Sequence, residues 1–199
     1  MKLAAKIISY VFHPLLMPSV SIALVIFYYN PTILSFMSTS QKLSFVGLTW
    51  GITFLAPVTF ILFLYYKGEI NDIYIYEKEK RKLPMMLAAI CCGISAYQLN
   101  VFMYPKIIVN ILMLTTLGIV ISYIINLYWK ISLHAMGAAA LCSIVFTLFP
   151  YSYYDYSAIL IICIITSGLI GTSRLVLNAH TLPQILAGFA LGSLAGLMI

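Results

Sequence analysis

Apolar residues run along this chain in long blocks, and the polar positions fall between the blocks rather than alternating with them. A block of about 20 apolar residues is what a helix needs to cross the hydrocarbon core of a bilayer. Seven blocks near that length are legible: about Leu15 to Phe36, Leu43 to Tyr66, Pro84 to Tyr104, Ile107 to Trp129, Ala135 to Phe149, Ser157 to Gly171, and Pro183 to the C-terminus. Pro31 breaks the first block, and Pro57 is expected to kink the second. Small residues open the fifth, from Ala135 through Gly137 to Ala140. In the last block Gly188, Gly192 and Gly196 continue a stripe that begins with His180 and Gln184, each four residues from the next. Small residues on one stripe let helices approach closely in a membrane. The glycines are read as packing. His180 and Gln184, on the same stripe, are expected to face the inside of a helix bundle.

Composition agrees with the blocks. The chain is 63% hydrophobic and 8% charged, against about 25% charged in a soluble domain. The expected fold is an all-α integral membrane protein, a bundle of six to seven transmembrane helices forming a single domain over residues 1–199. A cleavable signal peptide is not expected: Met1-Lys2 to Lys6 is basic, but no small-residue cleavage site follows an apolar core. Cys91, Cys92, Cys142 and Cys163 lie inside apolar blocks and read as buried small side chains. A net charge of +6 suits an anionic partner, either lipid headgroups or a phosphorylated substrate. No aromatic-and-basic stretch points to nucleic acid.

The charges concentrate in one segment, Lys67 to Pro84, which holds Lys67, Lys78, Lys80, Arg81 and Lys82 with four of the five acids. Two readings stay open for it: a solvated loop that orients the protein, or a loop that binds phosphate. Further on come His134, after Lys130-Ile131-Ser132-Leu133, and Arg174 with His180. Counting blocks, an even number of crossings separates each of these places from the next, so all three should emerge on one membrane face. Phosphoryl transfer needs positive charge around the phosphoryl oxygens, an in-line nucleophile and an acid for the leaving oxygen. Histidine can serve as nucleophile or acid near neutral pH. There is no glycine-rich phosphate loop and no carboxylate cluster for magnesium, so a metal-free reaction through a phosphohistidine fits, with no cofactor. His13, at His13-Pro14, reads as an interfacial residue at the entrance to the first block.

Three segments, in order, resemble signatures of the type 2 phosphatidic acid phosphatase (PAP2) superfamily of membrane lipid phosphatases. Ser173-Arg174, five residues, His180, three residues and Gln184 reproduce the spacing of the third signature, with Gln where the family has Asp. Ser132-Leu133-His134 keeps the Ser and His of the second signature but not its Pro and Gly. The first signature, Lys, six residues, Arg-Pro, is poorly kept: Arg81 is followed by Lys82-Leu83-Pro84, and Tyr74 stands where the Lys would be. The resemblance covers about residues 67–196. It implies a PAP2-like core in which His180 is the nucleophile and His134 protonates the leaving group. It also implies that Arg174, Ser132, Ser173, Arg81 and one of Lys78, Lys80 or Lys82 hold the phosphate. Gln184 would orient His180 without the charge of an Asp; Asp72 and Asp155 are the spare carboxylates.

The implied activity is hydrolysis of a phosphorylated lipid in the bilayer, in a bacterial inner membrane. Candidate substrates are phosphatidate, phosphatidylglycerol phosphate, a polyprenyl pyrophosphate or a phosphorylated glycolipid. The alternatives are an impaired relative that binds phospholipid headgroups, a small transporter and, least favoured with only five acids, a prenyltransferase. Positive charge favours a cytoplasmic site face, the resemblance a periplasmic one. The face and the oligomeric state are left open.

Overall fold

The computed structural model describes residues 1–29, 34–71, 75, 77–148, 152 and 155–199. Pro31, Asp72 and Tyr74, which enter the sequence reading, lie outside them. Every regular element among the described residues is helical. In chain order they are α1 (Lys2–Val11), α2 (Met17–Leu24), α3 (Thr39–Trp50), α4 (Ala56–Tyr66), α5 (Lys82–Val101), α6 (Lys106–Tyr128), α7 (Leu133–Leu148), α8 (Ser157–Val176) and α9 (Leu182–Leu197). A π-helical turn, Gly51–Leu55, joins α3 to α4.

Five helical runs are long and apolar enough to cross a membrane: Lys2–Tyr29, Thr39–Tyr66, Glu79–Val101, Lys106–Tyr128 and Ser157–Val176. Two shorter apolar helices, Leu133–Leu148 and Leu182–Leu197, complete the series. Their 16 residues make rods of about 24 Å, short of the roughly 30 Å hydrocarbon core. Large apolar side chains such as Ile161, Ile162, Ile165 and Leu169 on α8 are exposed, as suits a surface solvated by lipid tails. The protein is a multi-pass membrane protein.

Two of the segment boundaries that differ from the sequence reading bear on the site. The first run begins at Lys2, not Leu15, because α1 is amphipathic. It buries Ala5 and Ser9 against α8, while Lys2 and Lys6 break up its hydropathy. His13-Pro14 is thus a bend inside the run. The sixth run continues past Gly171 to Val176, which places Arg174 in its last turn.

The core joins α2, α6 and α7 through Ile22, Ile26, Ile108, Ile111, Leu112 and Ile144. A second cluster, Met85, Ala88, Cys92, Ile119 and Met136, ties α5 to α6 and α7. The four cysteines are free, Cys92 and Cys163 buried. The glycine stripe of α9 lies against α7. A Cβ on Gly188 would sit 2.5 Å from the Ser132 carbonyl, and one on Gly192 would overlap the Met136 carbonyl. With no side chain between them, the backbones meet directly. The Ser132 N–H donates to the Gln184 carbonyl at 3.2 Å, so the entrances of α7 and α9 are joined at one end of the bundle.

Candidate active site

From that end a cavity of about 280 Å³ runs along the bundle as far as Ile111, Gly196 and Ile199, and its lining includes His13, Arg81, His134, Arg174 and His180. Its walls are otherwise mostly apolar, with Ile61, Met85, Leu114 and Ile144 among them.

His180 precedes α9. Helix α8 ends through Asn178, which takes φ 49°, while the Ala179 N–H closes back on the Arg174 carbonyl at 3.0 Å. A left-handed residue after a helix is a common stop. The reversal puts Arg174 and His180 on one cavity. In the first turn of α9, Gln184 reaches back. Its Oε1 lies 3.2 Å from the Thr181 N–H, which donates to it, and 3.1 Å from His180 Nδ1. The Thr181 N–H can only donate, so the atom it faces must be the amide oxygen. That oxygen can only accept, so the neutral ring carries its proton on Nδ1 and a lone pair on Nε2. A carboxylate at 184 would impose the same tautomer.

His180 is buried at 7% exposure. Burial lowers its pKa to about 3, aided by the positive charges of Arg81, Lys130 and Arg174 and opposed by the Gln184 hydrogen bond. The ring is therefore neutral at pH 7, and its Nε2 lone pair is available without a base. Lys130, in the segment between α6 and α7, is itself lowered to about 8, first by burial and then by Arg81 and Arg174.

Arg174 is 2% exposed. A snorkelling arginine would put its head in water; this one turns inward, and its Nη1 donates to Ser9 Oγ at 3.0 Å. His134 is the second residue of α7, and its Nε2 lies 3.2 Å from the Ser9 carbonyl. Ser9, itself 1% exposed, thus touches both. Arg81 is also buried, and its Nε donates to the Ile75 carbonyl at 2.7 Å. Ile75 sits at φ 46°, a rare conformation for a β-branched residue that marks local strain beside the cavity.

The other candidates do not line the cavity. Lys78 donates to the Leu127 carbonyl at 3.1 Å and lies 3.8 Å from Glu79, while Asn126 donates to the Lys78 carbonyl at 3.0 Å. These contacts clamp the basic loop to α6. Lys80 pairs with Glu77 at 3.4 Å, and neither Lys80 nor Lys82 lines the cavity. The Ser132 hydroxyl accepts from the Ala135 N–H at 3.3 Å, a cap on α7, and that of Ser173 donates to the Ile170 carbonyl at 2.7 Å. Asp155 lies at the opposite ends of α7 and α8 and accepts from the Ser157 N–H at 2.8 Å. Among the described residues, no three His, Cys, Asp or Glu side chains cluster as metal ligands.

Sequence reasoning missed Ser9 and gave His13 an interfacial place; Lys130 entered it only as a positive charge. Ala5 and Ser9, small residues four apart, were the visible trace of a buried face on α1.

The arrangement can bind an anion against guanidinium groups and present it with an imidazole lone pair. Comparison with known families matches residues 126–199 to the PAP2 superfamily model. Comparisons with curated proteins and with solved structures gave no match. The match spans Lys130, His134, Arg174, His180 and Gln184, so the C-terminal part of the chain, residues 126–199, is similar to the PAP2 superfamily.

Proposed function

We propose that this protein is a membrane-embedded phosphatase that hydrolyses a phosphorylated lipid through a phosphohistidine on His180, without a metal. One observation carries the reading: the Nε2 lone pair of His180, fixed by Gln184, lines the same cavity as Arg174 and Arg81. Helices α7 and α9 both begin at this end, and helix N-termini favour anions. In the first step the lone pair attacks phosphorus, the guanidinium groups hold the phosphoryl oxygens, and His134 gives a proton to the departing oxygen. Water then cleaves the P–N bond, releases phosphate and restores both histidines. The apolar walls suit a substrate with a hydrocarbon tail, such as phosphatidate, phosphatidylglycerol phosphate or a polyprenyl pyrophosphate. Ser132 and Ser173 would act by shaping the ends of α7 and α8, and Lys78 and Lys82 by the field of the basic loop. On this reading the protein works in a bacterial inner membrane.

A second reading, binding of phospholipid headgroups without turnover, is favoured by Gln184 itself, since an amide cannot balance the charge of a phosphorylated imidazolium. Phosphate release by purified protein in detergent separates the two. The phosphatase reading expects release that falls by about 10³ or more in His180→Ala. Release that survives this change removes His180 from the mechanism, and none from the unaltered protein favours the binder.

A further inference from the structure

His13 follows Phe12, the C-cap of α1, and its ring lies in the cavity wall. Its Nδ1 accepts the Leu15 N–H at 3.3 Å, capping the 3₁₀ turn that follows. An N–H can only donate, so the neutral ring carries its own proton on Nε2. That Nε2 has no hydrogen-bond partner among the described residues. The ring stands edge-on to His134, with centroids 5.6 Å apart, and to Phe54, 5.9 Å away, each at 76°. Phe54 comes from the π-turn Gly51–Leu55, a feature often found at functional sites.

The tautomers of the two neighbouring rings differ in what they offer the cavity. The Ser9 carbonyl can only accept, so neutral His134 keeps its proton on Nε2 for that bond. Its Nδ1 is then a bare lone pair. His13, by contrast, has an uncommitted N–H.

We propose that His13 is a third catalytic histidine, whose Nε2–H donates a hydrogen bond to the oxygen that leaves phosphorus. The inference rests on the phosphoryl transfer proposed above. A phosphate monoanion entering the cavity gives its proton to His134 Nδ1 and becomes the dianion. His180 Nε2 forms the P–N bond as the P–O bond to the lipid breaks, and the electron pair of that bond goes to the leaving oxygen. The His13 N–H stabilises the growing negative charge, and the proton on His134 Nδ1 completes the alcohol. His13 keeps its proton throughout.

The test compares kcat/KM on a long-chain alkyl monophosphate and on p-nitrophenyl phosphate, whose leaving group needs little help. His13→Asn retains an acceptor for the Leu15 N–H, since Asn is a favoured cap, and removes the ring donor. It should lower turnover of the alkyl phosphate by about 10²-fold and leave the aryl phosphate within about threefold. The ratio of the two rates in one preparation does not depend on how much protein is folded. Equal loss on both substrates, or no loss on either, overturns the role of His13 while leaving His180 in place. Turnover of both that survives His180→Ala overturns the phosphohistidine reading and the role of His13 with it.

Discussion

Replacing Gln184 with Glu isolates the charge that this site lacks. The substitution is nearly isosteric, and a carboxylate can accept from the same two donors, the Thr181 N–H and His180 Nδ1–H, at 3.2 and 3.1 Å. Position 184 lies in the first turn of α9, where a Glu is favourable to the helix, so folding should not suffer. The ring at 180 now meets positive charge from Arg81, Lys130 and Arg174 and has only a neutral partner. At an effective dielectric constant of about 20, unit charges about 4 Å apart attract by about 4 kcal/mol, equivalent to about three pH units in a pKa. That carries His180 from about 3 back to about 6. The attacking nitrogen becomes more basic, and the positive ring formed on phosphorylation gains a counter-charge. Loss of a comparable Asp in a serine protease costs about 10⁴; with the ring already oriented here, a gain of about ten- to a hundredfold in kcat is expected. The base works when unprotonated, so kcat/KM of Gln184→Glu should fall below about pH 6, whereas the unaltered protein has no such limb until near pH 3. Phosphate release across pH 4 to 9 measures both quantities. Unchanged kcat together with an unmoved acid limb would refute the assignment of Gln184 as the partner of the nucleophile. Turnover that appears only in Gln184→Glu would identify the native chain as a headgroup binder.

Three further outcomes follow from the same geometry. Lys130, lowered to about 8, is charged below that pH and neutral above it, so kcat/KM should decline through about pH 8, and Lys130→Arg should move that limb out of range. Ser9→Ala removes the oxygen that accepts from Arg174 Nη1 at 3.0 Å. A hydrogen bond to a charged group is worth about 1.5–3 kcal/mol, and kcat/KM should fall by about tenfold or more with the pH profile unmoved. Gly192→Ala drives a methyl group into the Met136 carbonyl and should destabilise by about 2 kcal/mol, read as a lower Tm in detergent. Gly47→Ala, where a Cβ meets nothing within 4 Å, is the neutral control.

The sequence carried the fold through its apolar blocks, because length and hydropathy alone decide whether a helix can cross a bilayer. The site was legible where its residues are local. Ser173 through Gln184 is one helix end, one reversal and one helix start, so spacing encodes geometry directly. The glycine stripe was legible for the same reason. What failed was anything that depends on which helices pack together. Nothing in Lys78, Lys80, Arg81 and Lys82 says that Arg81 alone turns into the cavity. That depends on the Ile75 carbonyl and on the Asn126 clamp. The Ser132 hydroxyl, expected to hold phosphate, also caps α7, a role that Ser fills at helix starts generally. In α1 the two lysines masked a buried face only ten residues long.

The distribution of the site along the chain constrains how it can be taken apart. The family match begins at residue 126 and holds His180, the Gln184 amide bonded to it and one buried arginine, Arg174. The remaining contacts come from before it. Ser9 holds Arg174 and His134 from α1, the ring of His13 borders His134, and Arg81 enters from the loop ahead of α5. The partners of Ser9 are 165 and 125 residues away in sequence, so the C-terminal helices alone cannot fix the orientation of either side chain. Buried Arg174 in particular would lose the hydroxyl that accepts from its Nη1, and weakening the contacts of a buried charge is costly. The portion with the recognisable signature is therefore expected not to hold these contacts by itself. The N-terminal helix, which carries no signature, is the element on which the geometry of the signature residues depends.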